Sequence, residues 1–162
     1  MTNKLKVFGL TFTTFDSDKL IALDTPFKFI TTVNAEFIVE AHSNSRFKEI
    51  INSSFATFDG QIPYFLAKLI TRKKLYKISG SNLIYDVISK CKHDNLTLFL
   101  LGDTNENNQL AVERARDEFG IRCFGFSPPF SIYPFSIEVN QLIINEIKKS
   151  SPQYLFVGFG AK

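Results

Sequence analysis

The pair Asp59-Gly60 directly follows a short apolar run, FATF at 55–58, and precedes a helical segment at 62–70. Two explanations fit a carboxylate at such a strand-to-helix junction. Asp and Gly are ordinary turn residues, because Asp caps helices and Gly adopts positive φ. The position also suits a catalytic group, since open α/β sheets bind ligands at the carboxyl ends of their strands.

A second group of reactive side chains is basic and lies between residues 68 and 77: Lys68, Arg72, Lys73, Lys74 and Lys77. A solvated helix end with its turn explains most such clusters. The alternative is attraction of a diphosphate or of an anionic membrane surface. Lys77 differs from the others because it lies within the strand-like stretch LYKIS, close to Gly80, where it could point along a sheet edge.

Other common catalytic patterns are missing from the sequence. His42 and His93 have no further ligand residues at metal spacing, so the sequence predicts no metal site. There is no Walker motif, nucleophile elbow or HExxH pattern. The stretch GFGAK at 158–162 supplies only two of the three glycines of a dinucleotide fingerprint. An NAD-binding oxidoreductase domain is therefore a weaker alternative.

The bulk composition is that of one soluble globular domain. The chain has 162 residues, of which 44% are hydrophobic and 22% charged, enough for a single core. A net charge of +3 is too small to indicate a nucleic-acid partner. Two cysteines, Cys91 and Cys123, do not make a disulfide scaffold, so we expect a cytoplasmic protein. The N-terminal residues lack the apolar run and cleavage site typical of a signal peptide, so we expect none, and no apolar run reaches transmembrane length.

Short apolar runs alternate with segments of helical period. The predicted strands are 27–34, 55–58, 75–79, 96–102, 121–126 and 154–160, and the predicted helices are 35–43, 45–54, 62–70, 81–94, 105–120 and 135–151. Near-continuous apolar strands indicate a parallel sheet that is covered on both faces. The expected fold class is α/β, with a Rossmann-like, mostly parallel sheet and helices on both faces.

Four stretches carry a more specific pattern. They are TTVNAEFIVEAHSNSRFKEIINSSFATFDGQ at 31–61, KISGSNLIYDVI at 77–88, LTLFLLGDTNENNQLAVERARDEFGIRCFGF at 96–126 and SSPQYLFVGFGAK at 150–162. In this order and spacing they resemble the WecG/TagA/CpsF glycosyltransferases, glycosyltransferase family 26. That family has a Thr-x-Asn-x-Glu segment, a strand ending in Asp-Gly, a basic-x-x-Gly-Ser/Thr-Asp-Leu segment, a Leu-Leu-Gly-Gly strand and a Val-Gly-x-Gly segment.

The resemblance implies an inverting glycosyltransferase without a tightly held metal or other cofactor. Enzymes of this family move N-acetylmannosamine or a related N-acetylhexosamine from a UDP-sugar to a polyprenyl-diphosphate-linked sugar. Their products enter teichoic acid, common antigen, and capsule or exopolysaccharide synthesis. The implied partners are the UDP-N-acetylhexosamine donor, the lipid-linked acceptor and, in the intact protein, the inner face of the cell membrane, with no nucleic acid.

The resemblance also assigns roles to individual residues. Asp59 matches the acidic residue proposed as catalytic base, and Thr32 and Asn34 match polar residues of the same pocket. Lys77 lies where the family usually has an Arg that is expected to hold the diphosphate. The other candidates are Arg72 near the diphosphate, Gly80 in the pocket wall, and Gly102, Gly158 and Gly160, whose backbone could approach the nucleotide closely.

Three substitutions and one boundary depart from the family pattern. Lys77 keeps a charge but lacks the planar fork of Arg. Asn82 replaces an Asp, and Asp103 replaces the second Gly of the Leu-Leu-Gly-Gly strand. The chain stops at Lys162, where the family continues with Pro-Lys-Gln-Glu and a further region. We therefore expect a single domain over 1–162 without the family's C-terminal region.

Two further expectations follow from this boundary. The first is that the short chain turns over very slowly. The alternative function is that of a non-catalytic module that binds a UDP-sugar. The second is self-association into a homo-oligomer through the apolar region around 154–160.

Overall fold

A computed structural model describes residues 3–131 and 134–159 of the chain. The chain divides into two compact units, residues 1–86 and residues 87–162. Strands in the first unit are β1 (Lys4–Val7), β2 (Leu10–Thr13), β3 (Ile30–Val33) and β4 (Phe55–Phe58), and the helices that begin there are α1 (Ser17–Ile21), α2 (Ala35–Ser43), α3 (Ser45–Ser53), α4 (Gln61–Thr71) and α5 (Gly80–Asp94). The second unit contains β5 (Thr97–Gly102), α6 (Asn105–Asp117), β6 (Arg122–Phe126), α7 (Ile137–Ser150) and β7 (Tyr154–Gly158).

The first unit is built on a four-stranded sheet of order β1-β2-β4-β3. Strands β1 and β2 form an antiparallel hairpin, whereas β4 runs parallel to both β2 and β3. The hairpin loop is Phe8-Gly9, and both residues have positive φ, as a two-residue turn of type I′ requires. The parallel pairs bring the carboxyl ends of β3 and β4 to the same edge of the sheet.

The core of this unit lies around β2 and β4. Phe12 and Phe58 are fully buried, and their rings stack at a centroid distance of 4.0 Å. Ala56, Val33 and Ile51 are also buried in this cluster. These side chains hold the strands whose ends carry Thr32 and Asp59.

The second unit has a three-stranded, fully parallel sheet of order β6-β5-β7. Its central strand β5 is buried along its whole length, in agreement with its unbroken apolar sequence. Asn108 on α6 is buried and donates from Nδ2 to the carbonyl oxygens of Leu100 and Gly102, at 3.1 and 3.0 Å. A β-carbon on Gly125 would lie 2.2 Å from Asn108 Oδ1, so a glycine is needed there for α6 to pack on β6.

The predicted α/β class, with mostly parallel strands and flanking helices, is confirmed, with the strands divided between two sheets. The bounds predicted for α2 and β4 agree with the structure to the residue. Residues 75–79, predicted as a strand, contribute a single bridge between Lys77 and Phe58. The hairpin β1–β2 and helix α1 were not predicted.

Candidate active site

Asp59 lies immediately after β4, at the edge where the parallel strands end. Its backbone amide donates to the carbonyl oxygen of Val33 at 2.9 Å, which continues the β3–β4 pairing by one residue. Its side-chain Oδ2 accepts a hydrogen bond from the backbone amide of Gly80 at 3.4 Å. The next residue, Gly60, has a φ of 97°, a conformation that favours glycine and lets the chain turn into α4.

The segment that leads to Gly80 runs alongside β4. The amide of Ile78 donates to the carbonyl oxygen of Phe58 at 3.0 Å, and the hydroxyl of Thr57 donates to the carbonyl oxygen of Ile78 at 2.8 Å. These bonds bring the first residue of α5 beside Asp59. The backbone amide at the N-terminus of α5 therefore faces the Asp59 side chain.

Thr32 completes this group. A β-carbon on Gly80 would lie 3.3 Å from the Thr32 hydroxyl oxygen, so the two residues are in close contact. Thr32, Asp59 and Gly80, predicted to share one pocket, therefore lie next to one another although they are far apart in the sequence. Asp59 and Thr32 are both half-buried.

Asn34 has a structural task at the same edge. Its side chain is the N-cap of α2, where Oδ1 accepts from the amide of Phe37 at 2.9 Å. Its Nδ2 group forms no hydrogen bond with any described residue. The residue can therefore cap the helix and still donate to a ligand.

Lys77 is exposed and lines an open cleft of about 360 Å³. The residues around this cleft are Ser17, Lys77, Ile78, Asn82, Tyr85 and Asp86. Asn82 and Asp86 are four residues apart on α5, so they lie on one face of that helix. Asp59 does not line this cleft, although Phe58 pairs with Lys77.

Sequence reasoning had not identified Ser17, Tyr85 and Asp86 as neighbours of Lys77. The i, i+3, i+4 spacing of Asn82, Tyr85 and Asp86 was a usable signal for the latter two. For Ser17 the sequence offers no signal.

No described contact connects Arg72 to another predicted site residue. Arg72 is the exposed C-cap of α4, with a left-handed φ of 51°, and its backbone amide donates to the carbonyl oxygen of Lys68 at 2.9 Å. Its guanidinium forms no hydrogen bond or ion pair with residues 3–131 or 134–159.

Gly102 and Gly158, two of the predicted glycines, lie at the carboxyl ends of β5 and β7. Gly102 of β5 and Gly158 of β7 are paired, and Gly102 has a φ of 109°. A β-carbon on Gly102 would lie 2.7 Å from the carbonyl oxygen of Gly158, so the approach of β7 already requires a glycine there. Gly160 lies outside the described residues.

Asp103, which replaces a family glycine, also adopts a positive φ, of 62°. Asp tolerates this conformation better than most residues because its short side chain bonds locally. Here Oδ1 accepts from the amide of Thr104 at 2.6 Å and from Asn107 Nδ2 at 3.1 Å. These hydrogen bonds, the one from Thr104 most of all, hold the pKa of the Asp103 carboxyl below its usual value.

The chemistry available around Asp59 is acid–base chemistry. Its Oδ1 atom has no hydrogen-bond partner among the described residues, so it can accept a proton from a ligand hydroxyl. The Thr32 hydroxyl and the N-terminus of α5 can donate to an oxygen-rich ligand. Within residues 3–131 and 134–159, no three His, Cys, Asp or Glu side chains are grouped so as to hold a metal ion. None of the described helices is both long and apolar enough to span a bilayer.

The fold is that of an α/β protein in which a carboxylate, a hydroxyl and a helix N-terminus meet at the carboxyl ends of parallel strands. The chain belongs to the glycosyl transferase WecG/TagA/CpsF family, whose sequence model matches residues 5–162. The family resemblance of the four motifs is thereby confirmed.

The chain is similar to enzymes named N-acetylglucosaminyldiphosphoundecaprenol N-acetyl-beta-D-mannosaminyltransferase. The protein of Staphylococcus aureus strain NCTC 8325 is 28% identical over 134 residues, which cover 82% of this chain and 50% of the relative. The protein of strain MRSA252 is 24% identical over 133 residues, with the same coverage. The chain thus spans about half the length of the curated relatives that it matches.

Proposed function

We propose that the protein is a glycosyltransferase that moves an N-acetylhexosamine from a UDP-sugar to a polyprenyl-diphosphate-linked sugar in bacterial surface polysaccharide synthesis. N-acetylmannosamine or a derivative is the proposed sugar, because the relatives are named as mannosaminyltransferases. The observation that carries the proposal is the contact of Asp59 and Thr32 with Gly80 at the carboxyl ends of β3 and β4, in a chain of this family.

Asp59 is the proposed catalytic base. Its Oδ1 atom takes the proton from the acceptor hydroxyl, whose oxygen attacks the anomeric carbon of the donor sugar. The bond from that carbon to the diphosphate breaks, and UDP leaves with the bonding electrons. Thr32, Gly80 and the Nδ2 group of Asn34 form the proposed wall of the sugar pocket.

The proposed diphosphate contact is Lys77, which combines an exposed ammonium with a position beside β4 and the start of α5. An ammonium binds a phosphate as a point charge, whereas Arg makes two parallel hydrogen bonds. Arg72 remains a second proposed cation, although the structure gives it no contact with Lys77. Gly102, Gly158 and Gly160 remain proposed as points of close backbone approach to the nucleotide.

The acceptor's polyprenyl chain would place the protein at the inner face of the cell membrane. Self-association into a homo-oligomer is proposed through β7, where Leu155 and Val157 are exposed by 44% and 56%. The lipid, the donor and the second copy are the proposed partners.

Isothermal titration calorimetry with UDP and, separately, with NAD tests the nucleotide assignment. Tighter binding of UDP supports the proposal, and tighter binding of NAD would contradict it in favour of an oxidoreductase domain. Incubation with UDP-N-acetylmannosamine and a polyprenyl-diphosphate-linked N-acetylglucosamine then tests transfer. Binding of the donor without any transfer would instead support a UDP-sugar-binding module.

A further inference from the structure

Helix α4 carries two apolar surfaces, of which only one is packed. Pro63 and Ala67 are buried in the core of the first unit. The second surface, called here the outer face of α4, consists of Ile62, Phe65, Leu66, Leu69 and Ile70, exposed by 70%, 63%, 42%, 65% and 64%.

The spacing of these five residues is i, i+3, i+4, i+7, i+8, which places them on one side of the helix. Helices in globular proteins normally turn such a stripe toward the core. On α4 the stripe is open to solvent, and contiguous exposed apolar surface of this kind indicates an interaction site. A shallow apolar depression of about 300 Å³ lies on the same helix, lined by Gln61, Ile62, Tyr64, Phe65 and Leu66.

The charges beside the outer face have one sign. Lys68 and Arg72 flank it, Lys73 and Lys74 follow directly, and all four are exposed. From Gly60 to Tyr85 the chain contains five basic residues and no Asp or Glu. That stretch carries a larger positive charge than the net +3 of the whole chain.

We propose that the outer face of α4 docks on an anionic lipid bilayer, with its apolar side chains in the boundary between headgroups and acyl chains. A helix with Phe and Leu on one side and Lys and Arg beside them has the composition of an interfacial helix. An anionic bilayer is complementary to both the basic and the apolar side chains, since its headgroups attract the cations and its acyl region accepts the apolar side chains. An apolar patch on a protein partner would satisfy only the second.

Docking would have a consequence for the site, because α4 begins two residues after Asp59. A membrane-bound α4 holds Asp59 close to the bilayer surface, where a polyprenyl-linked acceptor presents its sugar. This consequence rests on the proposed function. The lipid binding itself does not, and it is measured without donor or acceptor.

Co-sedimentation of the 162-residue chain with vesicles tests the proposal. One set is phosphatidylcholine, and the other contains about 30% phosphatidylglycerol. The test variant is Phe65→Gln/Leu69→Gln, and the matched control is Val39→Gln, a side chain of α2 that is 72% exposed. A second pair compares Lys68→Gln/Lys73→Gln with Lys92→Gln/Lys148→Gln. All these side chains are exposed, so far-UV circular dichroism should show unchanged folding.

The parent chain should bind anionic vesicles, and Phe65→Gln/Leu69→Gln should lower the partition coefficient by roughly tenfold or more while Val39→Gln leaves it unchanged. Lys68→Gln/Lys73→Gln should weaken binding to anionic vesicles only, and by more than its control pair does.

Absence of vesicle binding by the parent chain, or an equal loss of binding in Val39→Gln, would overturn the proposal. A parent chain that does not bind vesicles but forms a dimer in light scattering would also overturn the proposal, if Phe65→Gln/Leu69→Gln dissociates that dimer. The outer face of α4 would then bind a second copy of the chain. Vesicle binding without sugar transfer would support this inference and count against the proposed function alone.

Discussion

The Oδ2 atom of Asp59 accepts a hydrogen bond from the backbone amide of Gly80 at 3.4 Å, which connects the end of β4 to the first residue of α5. Gly80 in turn lies against the hydroxyl of Thr32 at the end of β3. One carboxylate oxygen is thus engaged in the fold, whereas Oδ1 has no partner among the described residues. A structural and a chemical role of Asp59 can therefore be separated by substitution.

Lys77→Ala should weaken UDP-sugar binding without changing the fold, because the ammonium is exposed and forms no hydrogen bond or ion pair with a described residue. We expect Lys77→Ala to raise the Kd for the UDP-sugar roughly tenfold. Lys77→Arg should bind at least as tightly as the parent, because a guanidinium can donate two parallel hydrogen bonds to a phosphate. Isothermal titration with the UDP-sugar measures both. Lys92→Ala, an exposed lysine of α5, is the control, and an equal change in that variant would remove Lys77 from the site.

The elements that sequence patterns predicted well are those whose structure depends on local residues. The Asn34 cap and the apolar spacing define α2, and the run FATF defines β4. The hairpin β1–β2 was missed because its turn is Phe8-Gly9, and Phe is an unusual residue at positive φ.

The contacts of the candidate site were less accessible from the sequence. Motif matching predicted that Thr32, Asp59 and Gly80 share a pocket, but their contact depends on how residues 75–80 lie along β4, which no local pattern encodes. The cleft around Lys77 includes Ser17, from a helix that was not predicted. The sequence predicts the helix α4 but not the exposure of its outer face. Periodicity shows that one side of a helix is apolar, but it does not show whether other elements cover that side.

Gly102→Ala should destabilise the chain far more than Gly120→Ala. Both glycines have positive φ, but a β-carbon at Gly120 meets nothing within 4 Å, whereas one at Gly102 meets Gly158 backbone at 2.7 Å. We expect the free energy of unfolding to fall by about 1 kcal/mol for Gly120→Ala and by at least about 3 kcal/mol for Gly102→Ala. Urea unfolding measures the difference. Equal losses would contradict the close approach of β7 to β5.

Cys91 and Cys123 should be unreactive in the folded chain. Burial raises the pKa of both thiols from 9.0 to about 11. The folded state therefore holds these protons more tightly than the unfolded state, so the contribution to stability is complete below about pH 9 and is lost as the pH rises toward 11. A thiol reagent at pH 8 should label neither cysteine until denaturant is added. Rapid labelling of the native chain would contradict the buried positions.

The most direct test of the central claim is Asp59→Asn in the protein that carries this chain. Asn keeps the size of the side chain and an oxygen for the Gly80 amide, but it cannot take a proton from the acceptor. Transfer from the UDP-sugar should fall by roughly 10²–10⁴-fold while donor binding and the unfolding midpoint stay close to those of the parent. Transfer at the parental rate by Asp59→Asn would contradict the assignment of Asp59 as the base.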